Sequence, residues 1–359
     1  MALSKVNPSL VSQNHGRRNM FHNGEMQIAT RGTSFTGVQA ADYHLDRWNS
    51  MISGVTSKGI CTISQDNDAP AGFSKSLKVD VTTADTSLDP WAEYSIQQRF
   101  EGQDLQRLCK GTSSTKKVTI SFWVKSSLTG TYILEMLDDD NGSRHINKSY
   151  TIDSANTWEY KSITFDGDTS GVLDDDTSKS MTISWDLAGG SNFQGGGLQT
   201  SWGSLSQTKR QDGQVNFFAT SGNTFLITGC QMEIGDTATQ YEHRTYAEEK
   251  HICARYYVHV GTGHFAGYQN GVSNAVCTIP LVTPLRANPS ITVSGTRHIW
   301  RHNGFNTISS STVSSSSGNF NDNGKHRFSI EVNTDGGGGG TNGYVACVYY
   351  SGLYLNAEL

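Results

Sequence analysis

The chain has 359 residues, of which 35% are apolar and only 17% are charged, and it contains 38 glycines. This profile favours an all-β protein rich in turns and speaks against a helical one. The net charge of −5 comes without a large basic patch for nucleic acid. No apolar run reaches the roughly 20 residues that cross a bilayer, so neither nucleic-acid binding nor membrane insertion is predicted.

The start of the sequence, MALSKVNPSLVSQNHGRRN, has no apolar signal-peptide core. We therefore expect a protein that is made in the cytoplasm and either stays there or leaves the cell by lysis. Residues 1–19 are polar and aperiodic, and we predict an extended arm that orders only against a partner. Its basic cluster, HGRR at residues 15–18, is alternatively a solvated arm.

From residue 20 to residue 244 the sequence predicts a series of short strands. KSLKVDVTT (75–83) and KKVTISFWVKSS (116–127) alternate apolar and polar residues, and GQVNFFATSGNTFLITGCQMEIG (213–235) is interpreted as two strands around TSGN. This period of two indicates an antiparallel sandwich. The acidic runs 138–140 and 174–176 are interpreted as hairpin turns, although loops of this kind also bind calcium.

The segment QYEHRTYAEEKHICARYY (240–257) breaks the alternation. Thr245 and Glu248 have the spacing of a capping box, which predicts a helix from about 246 to 256 within a connector, 245–258. Its tyrosines are expected to pack on a domain surface or on a neighbouring subunit. Two histidines at metal-binding helical spacing are missing, so no metal site is predicted. The six cysteines form no CxxC pair, which predicts free, mostly buried thiols.

Period two returns after the connector and predicts a smaller β domain over residues 259–359. Its strands fall within AVCTIPLVTPL (275–285), SITVSG (290–295), RFSIEVNT (327–334) and the C-terminal stretch from residue 344. Loops rich in serine and glycine separate them.

The sequence contains no nucleophile elbow, phosphate loop or dinucleotide fingerprint, so no catalytic residue and no cofactor are predicted. Tryptophans within strands, such as Trp123, Trp158 and Trp185, are expected to serve packing. Trp202 and Trp300 have loop-like neighbours, and such rings beside polar groups suit sugar stacking. For Trp300, burial at a subunit contact is the alternative. The predicted glycan-binding residues are His298, Trp300, Arg301 and Asn303 in the second domain and Trp202 in the first.

Three stretches carry a resemblance to a known family. They are RRNMFHNGEMQIATRGTSF…YHLDRW (17–48), RFEGQDLQRLCKGTSSTKKVTISFWVKSSLTGTY (99–132) and GCQMEIGDTATQYEHRTYAEEKHICARYY (229–257). Over residues 17–257 the chain resembles tail-fibre and virion appendage proteins of short-tailed bacteriophages, marine ones especially. The ending YYSGLYLNAEL is similar to the C-termini of such proteins.

The resemblance implies a jelly-roll-like β-sandwich similar to a carbohydrate-binding module, then the connector helix, then a smaller C-terminal β-sandwich tip. It also implies a homotrimer on the virion, and it transfers no catalytic residue. The arm would attach the chain to a portal, tail adaptor or capsid protein through Asn14, His15, Arg17 and Arg18. The joint between domains or between subunits would be formed by Tyr241, His243, Arg244, Tyr246, Arg255, Tyr256 and Tyr257.

The leading functional hypothesis is a non-enzymatic virion fibre or appendage that binds host surface glycans. Linked weak sites in a trimer gain avidity of about a hundredfold or more. The alternatives are a purely architectural head fibre or decoration protein and, third, a polysaccharide depolymerase. A glycosidase needs two carboxylates that face each other across a cleft, and the sequence cannot place such a pair.

Overall fold

The computed structural model describes residues 17–54, 59–269, 274–293, 297–301, 304–308, 313–314, 327–333 and 345–359. The chain divides into two compact units, of which the first ends at Thr245 and also takes in Leu359, and the second runs from Tyr246 to Glu358. Antiparallel sheets dominate both units, which confirms the all-β class. The α-helices in the described ranges are the one-turn α1 (Gly102–Leu105) and α2 (Tyr246–Cys253).

The first unit is a sandwich of two antiparallel sheets with the jelly-roll-like character that the sequence predicts. Its strands are β1 (Ser34–Val38), β2 (Asp42–Tyr43), β3 (Asn49–Ser53), β4 (Ile60–Asp66), β5 (Ser76–Thr83), β6 (Glu93–Glu101), β7 (Val118–Ser126), β8 (Gly130–Asp138), β9 (Arg144–Ile152), β10 (Glu159–Phe165), β11 (Lys179–Gly189), β12 (Gly203–Ser204) and β13 (Thr224–Ile234). In the described part, the six-stranded sheet has the order β1-β4-β5-β13-β7-β10, and the seven-stranded sheet has the order β12-β9-β8-β11-β6-β3-β2.

The core lies between these two sheets and follows directly from the alternation. Leu77, Val79 and Val81 of β5 are buried, as are the alternate residues Val118 to Val124 of β7. Phe122 of the six-stranded sheet meets Trp185 of the seven-stranded sheet edge to face, with ring centroids 5.6 Å apart. Each such buried side chain stabilises the fold by about 1.5–3 kcal/mol, so this shared core holds the two sheets together.

The second unit contains, in its described residues, the helix α2 and one antiparallel sheet. Its strands are β14 (Tyr257–Gln269), β15 (Asn274–Pro280), β16 (Ser290–Val293), β17 (Arg297–Arg301), β18 (Gly304–Ile308), β19 (Val313–Ser314), β20 (Arg327–Asn333) and β21 (Val345–Asn356). The order is β18-β17-β21-β14-β15-β20-β19, and β16 also pairs with β21. The predicted strand in 275–285 ends at Pro280, because proline has no N–H to donate to a neighbouring strand.

Two sequence predictions for the first unit are wrong. Residues 213–223 contain no strand; a 3₁₀ turn, Phe217–Ala219, takes its place. Phe217 and Phe218 are both buried, which a strand with alternating sides does not allow for two neighbours that face a single core. The acidic run 174–176 is also no hairpin turn, because it lies in the crossover from β10 in one sheet to β11 in the other.

The first residues of the first unit and the connector helix that follows this unit differ in part from the sequence predictions. Residues 17–19, predicted as the end of a free arm, pack on the sandwich: the backbone N–H groups of Arg18 and Asn19 donate to Glu242 Oε2 at 2.8 and 2.6 Å. The helix α2 ends at Cys253, before the predicted end near residue 256, and Tyr246 at its start is 55% exposed in the single chain, so its packing on a neighbouring subunit stays a prediction.

Candidate functional site

The outward face of the seven-stranded sheet is polar but covered. Glu135, His145, Asn147 and Asp186 point away from the core, and all four are completely buried. The segment 190–216, which we call the cover segment, lies over them. The amide of Asn147 donates to the carbonyls of Lys209 and Arg210 at 2.8 and 3.0 Å, so the chain itself occupies this face.

A buried ion cluster joins the cover segment to the sheet. Arg210 donates to Glu135 Oε2 at 2.7 Å and to Glu93 Oε1 at 2.9 Å. The Nδ1 atom of His145 lies 2.8 Å from Glu135 Oε1. Burial alone would raise the pKa of Glu135, but the charge and hydrogen bonds of Arg210 together with His145 hold it below its ordinary value. Glu135 is therefore an anion enclosed by cationic and polar partners.

Asp186, in the same cluster, behaves in the opposite way. Burial raises its pKa well above the ordinary value, and the nearby charges of Glu135 and Glu93 add to this effect. Two neighbouring carboxyl groups whose pKa values are shifted in opposite directions could in principle serve as an acid and a base. Both are completely buried, so neither can reach a substrate, and the cluster functions in the fold.

The outward face of the six-stranded sheet is aromatic and open. Trp123 alternates with the core residues Phe122 and Val124 and so points outward from β7. Tyr160 of β10 lies directly opposite it, and the two rings are 5.4 Å apart and tilted by 55°. The side chain of Tyr160 is 46% exposed. A third ring, Trp158, precedes β10, and we call these three residues the aromatic platform.

Polar groups fix the third ring and border the platform. The indole N–H of Trp158 donates to Asp68 Oδ1 at 2.9 Å, and Lys125 Nζ donates to Asp68 Oδ2 at 2.6 Å. Lys125 lies two residues from Trp123 on the same face of β7. The hydrogen bonds from Lys125 and Trp158 lower the pKa of Asp68. Rings beside hydrogen-bonding groups suit a ligand that has both a flat apolar face and hydroxyl groups.

Trp202, the glycan-binding residue predicted in the first unit, lies beside a small recess. Its indole N–H donates to the carbonyl of Asp166 at 2.8 Å, and Lys110 Nζ lies 5.0 Å from the centre of its ring. The recess is small and partly open to solvent. The indole covers a buried cation, and the ring itself remains partly exposed.

That cation belongs to a second ion network. Lys110 is buried and contacts Asp138 and, at 3.2 Å, Asp168. Arg144 binds the carboxylate of Asp168 through two N–H groups at 2.8 and 2.9 Å. Burial opposes ionisation of Asp168, but the bonds from Arg144, the Ser170 N–H and Lys110 lower its pKa. The acidic run at 138–140 is thus a hairpin turn between β8 and β9, as predicted, whose first aspartate pairs with lysine.

Residues predicted for the joint lie at the boundary of the units. Tyr241 and His243 pack on Phe73, with ring centroids 5.1 and 5.4 Å apart. Arg244 donates to the carbonyl of Phe21 at 2.9 Å, so the segment 241–244 is held by the first unit. In the second unit, Arg255 lies in the turn after α2, Tyr256 is buried and Tyr257 begins β14.

The remaining predicted residues are only partly placed. Trp300, predicted in a loop, lies on strand β17 opposite Phe305 of β18, and His298 and Arg301 belong to the same strand. Asn303, Asn14 and His15 lie outside the described residues. Within the described ranges no group of three or more His, Cys, Asp or Glu side chains could hold a metal ion. Among those same residues, no helix has the length and apolar character for a membrane span.

Comparisons with known proteins give only distant structural similarity. No protein-family model matches the sequence, and no curated protein matches it. Among solved structures, the enzymatically active domain of tailspike protein 4 of bacteriophage CBA120 is similar with a TM-score of 0.34 and 13% identity, over 60% of this chain and 21% of that one. A putative sugar binding protein from Bacteroides thetaiotaomicron gives 0.34 and 14%, over 61% and 100%. A xylan-binding domain of carbohydrate-binding module family 22 gives 0.30 and 13%, over 56% and 98%.

The aromatic platform was missed by the sequence reasoning. Alternation in β7 already puts Trp123 on the side away from Val118, Ile120 and Phe122. That signal was present in the sequence, but strand tryptophans were interpreted as packing residues. The proximity of Tyr160 and of Asp68 depends on strand pairing between distant segments, which one sequence does not reveal.

Proposed function

We propose that the chain is a non-enzymatic virion fibre or appendage protein that binds host surface glycans through the aromatic platform. The single observation that carries glycan binding is the pair of a partly exposed Trp123 and an exposed Tyr160 on the outward sheet face, beside the hydrogen-bonded Trp158 and Asp68. When an aromatic ring packs against the apolar face of a sugar, both surfaces are removed from water, which is favourable. The polar groups that border the rings can bind the hydroxyl groups of the sugar.

Two features of the first unit support a rigid platform. Trp123 and Tyr160 stand opposite each other on hydrogen-bonded strands β7 and β10, so the sheet fixes their spacing. Trp158 is oriented by Asp68, which is itself bonded to Lys125. A site whose groups are already ordered loses little conformational entropy on binding, which favours affinity.

The virion role rests on the resemblance of residues 17–257 to appendage proteins of short-tailed phages. In this proposal the residues before Arg17 attach the chain to the particle, and the protein is a homotrimer whose three platforms act together. The second unit is the tip, where Trp300, His298 and Arg301 on β17 add contacts to glycans. Immunogold labelling of intact particles tests the position: labelling on the head favours the architectural alternative, and labelling at the tail favours host attachment.

A binding experiment on the full chain tests the glycan proposal. Glycan-array and affinity-electrophoresis signals of the wild type should fall at least tenfold in Trp123→Ala/Tyr160→Ala, since aromatic anchors dominate such contacts. Trp91→Ala is the matched control, because Trp91 is 54% exposed in the same unit but packs on Phe193, away from the platform. Equal binding by the wild type and the double variant, with unchanged thermal midpoints, would reject the platform. Trp300→Ala in the same assay tests the tip.

The depolymerase alternative is tested by sugar release from purified polysaccharide. The carboxyl pair Glu135 and Asp186 is buried beneath the cover segment and offers no cleft for a substrate. Release of reducing ends by the purified protein, lost on a single Asp or Glu substitution, would establish an enzyme and overturn the non-enzymatic proposal.

A further inference from the structure

We infer that the aromatic platform selects neutral polysaccharides over anionic ones. The inference rests on the proposed glycan-binding function and names its ligand class. It follows from the charges around the rings, which are balanced within the protein and leave little attraction for a carboxylated, sulfated or phosphorylated sugar.

Two of the three lysines on this face already have anionic partners, and the third has a neutral one. Lys125 Nζ lies 2.6 Å from Asp68, and Lys78 Nζ lies between Asp66 and Asp80 at 3.8 and 3.9 Å. Lys75, in the loop before β5, donates to the side-chain oxygen of Asn67. These three lysines accompany three aspartates, and Lys161 at the edge of the platform pairs with Glu159 and Asp153 at 2.7 and 3.4 Å. The charged groups around the rings therefore carry no net positive charge.

An anionic ligand would have to compete with Asp68 for Lys125. Asp68 also accepts the indole N–H of Trp158, so the carboxylate that pairs with Lys125 is the one that orients a platform ring. The Asp68 side chain is 44% exposed, and it presents a negative charge at the edge of the platform. A ligand carboxylate there meets like charge, which disfavours it.

A neutral sugar meets none of these costs. Its hydroxyl groups can donate to Asp68 and accept from Lys125 without separating the pair, because carboxylate and ammonium groups each have several hydrogen-bonding positions. Hydrogen bonds to charged groups are also stronger than those between neutral groups. The paired Asp68 and Lys125 therefore favour hydroxyl-rich, uncharged ligands.

Matched soluble polymers test the inference on the full chain by native affinity electrophoresis. Hydroxyethyl cellulose is compared with carboxymethyl cellulose, and dextran with dextran sulfate, at low salt and at 150 mM salt. Wild-type protein should be retarded by at least one neutral polymer, with an apparent affinity at least tenfold above that for its anionic derivative. Retardation should disappear in Trp123→Ala/Tyr160→Ala.

The variant Asp68→Asn tests whether the charge beside the platform, rather than the net charge of the protein, sets the preference for neutral polymers. Its amide oxygen can still accept from Trp158, but Lys125 loses its anionic partner, so binding of the anionic polymer at low salt should rise at least threefold. Neutral binding should fall, because the hydroxyl groups of the ligand lose a charged acceptor, so the ratio of neutral to anionic affinity should decrease. Asp166→Asn is the control, because Asp166 is another exposed aspartate paired with a lysine, Lys117 at 3.1 Å, and its change alters net charge equally; it should leave both affinities unchanged.

The outcomes distinguish this inference from the proposed function. Binding to an anionic polymer as strong as to its neutral partner, and abolished by the double alanine variant, would overturn the preference and leave the platform intact. An equal gain of anionic binding in Asp68→Asn and Asp166→Asn would also overturn it. Retardation that survives the double variant, or no retardation by any polymer, would count against the glycan-binding function itself.

Discussion

The two outward faces of the sandwich differ in a way that composition does not predict. The face of the seven-stranded sheet carries the ionisable side chains Glu135, His145 and Asp186, yet all three are buried beneath the cover segment. The face of the six-stranded sheet carries Trp123 and Tyr160, and it remains accessible to solvent. Reactive residue types are therefore concentrated where no ligand can reach.

Energetics explain why each face is built as it is. A buried charge is tolerated only when it is paired and hydrogen-bonded, and Glu135 satisfies this through Arg210 and His145. Exposed aromatic rings contribute little to folding, because their surface stays in contact with water. The covered face thus contributes to stability, and the open face is available for recognition. Substitutions on each of the two faces can test this distinction.

The largest effect is expected from Arg210→Met. The variant leaves Glu135 buried without its cationic partner, and Glu93 loses the same guanidinium. Removing one partner of a buried pair costs about 3–5 kcal/mol of unfolding free energy, which urea denaturation measures directly. Polysaccharide binding by the protein that remains folded should be unchanged, because the platform lies on the other sheet.

The contrast for this prediction is an exposed ion pair. Lys117 and Asp166 lie 3.1 Å apart with side chains 55% and 63% exposed, and exposed pairs contribute about 0–1 kcal/mol. Lys117→Ala should therefore shift the urea midpoint far less than Arg210→Met does. Similar shifts in the two variants would mean that the cover segment is not held by the buried cluster.

The main features of the fold could be predicted from alternation because each strand faces one core. Leu77, Val79 and Val81 recur at period two and are buried together, as predicted. The prediction of a strand in residues 213–223 failed because the adjacent side chains of Phe217 and Phe218 are both buried. A 3₁₀ turn takes the place of the strand there. Prediction also failed where a segment crosses between sheets, since the acidic run 174–176 has the composition of a hairpin turn.

The candidate site was harder to predict than the fold, because its residues come together only when strands that are distant in sequence pair. The outward direction of Trp123 follows from β7 alone, but its neighbour Tyr160 is fixed by the pairing of β10 with β7. Asp68 and Trp158 are 90 residues apart in sequence and meet only in the folded sheet. The ring of Trp202 lies over Lys110, a contact between residues distant in sequence that one sequence does not reveal.

Asp186→Asn should change the pH dependence of stability. The folded-state pKa of Asp186 is raised well above its ordinary value of 3.8 by burial and by the charges of Glu135 and Glu93. A group with a raised folded pKa stabilises the fold fully below its unfolded pKa, and that stability is lost as pH rises towards the folded pKa. Asparagine cannot ionise, so the variant should gain in Tm over the wild type as pH rises above about 4.

Thermal melts of both proteins between pH 3 and pH 8 measure this difference. Glu135 has a lowered pKa, so its contribution is present above its ordinary value of 4.5 and is lost on acidification. Because Glu135 and Asp186 interact, the curves are compared above pH 4.5, where Glu135 is ionised in both proteins, and their difference there reports Asp186. A constant difference across the pH range would contradict a raised pKa of Asp186 on the covered face.

The smallest effect is expected on the open face, from Trp158→Phe. Phenylalanine keeps an aromatic ring but loses the N–H that donates to Asp68 at 2.9 Å. Because that hydrogen bond helps to lower the pKa of Asp68, the pKa should rise in the variant, which an NMR titration of the Asp68 carboxyl carbon can detect. One exposed hydrogen bond contributes about 0.5–1.5 kcal/mol at most, so neutral-polysaccharide affinity should fall by about two- to threefold through looser orientation of the ring.

Trp158→Ala separates the ring from its N–H group. Loss of the whole ring should weaken polysaccharide binding more than Trp158→Phe does, while both variants should raise the pKa of Asp68 by the same amount, since both lack the donor. Equal affinities in the two variants would assign the role of Trp158 to its hydrogen bond and would reduce the platform to Trp123 and Tyr160. An unchanged Asp68 titration in both would mean that Lys125 alone sets the charge at the edge of the open face.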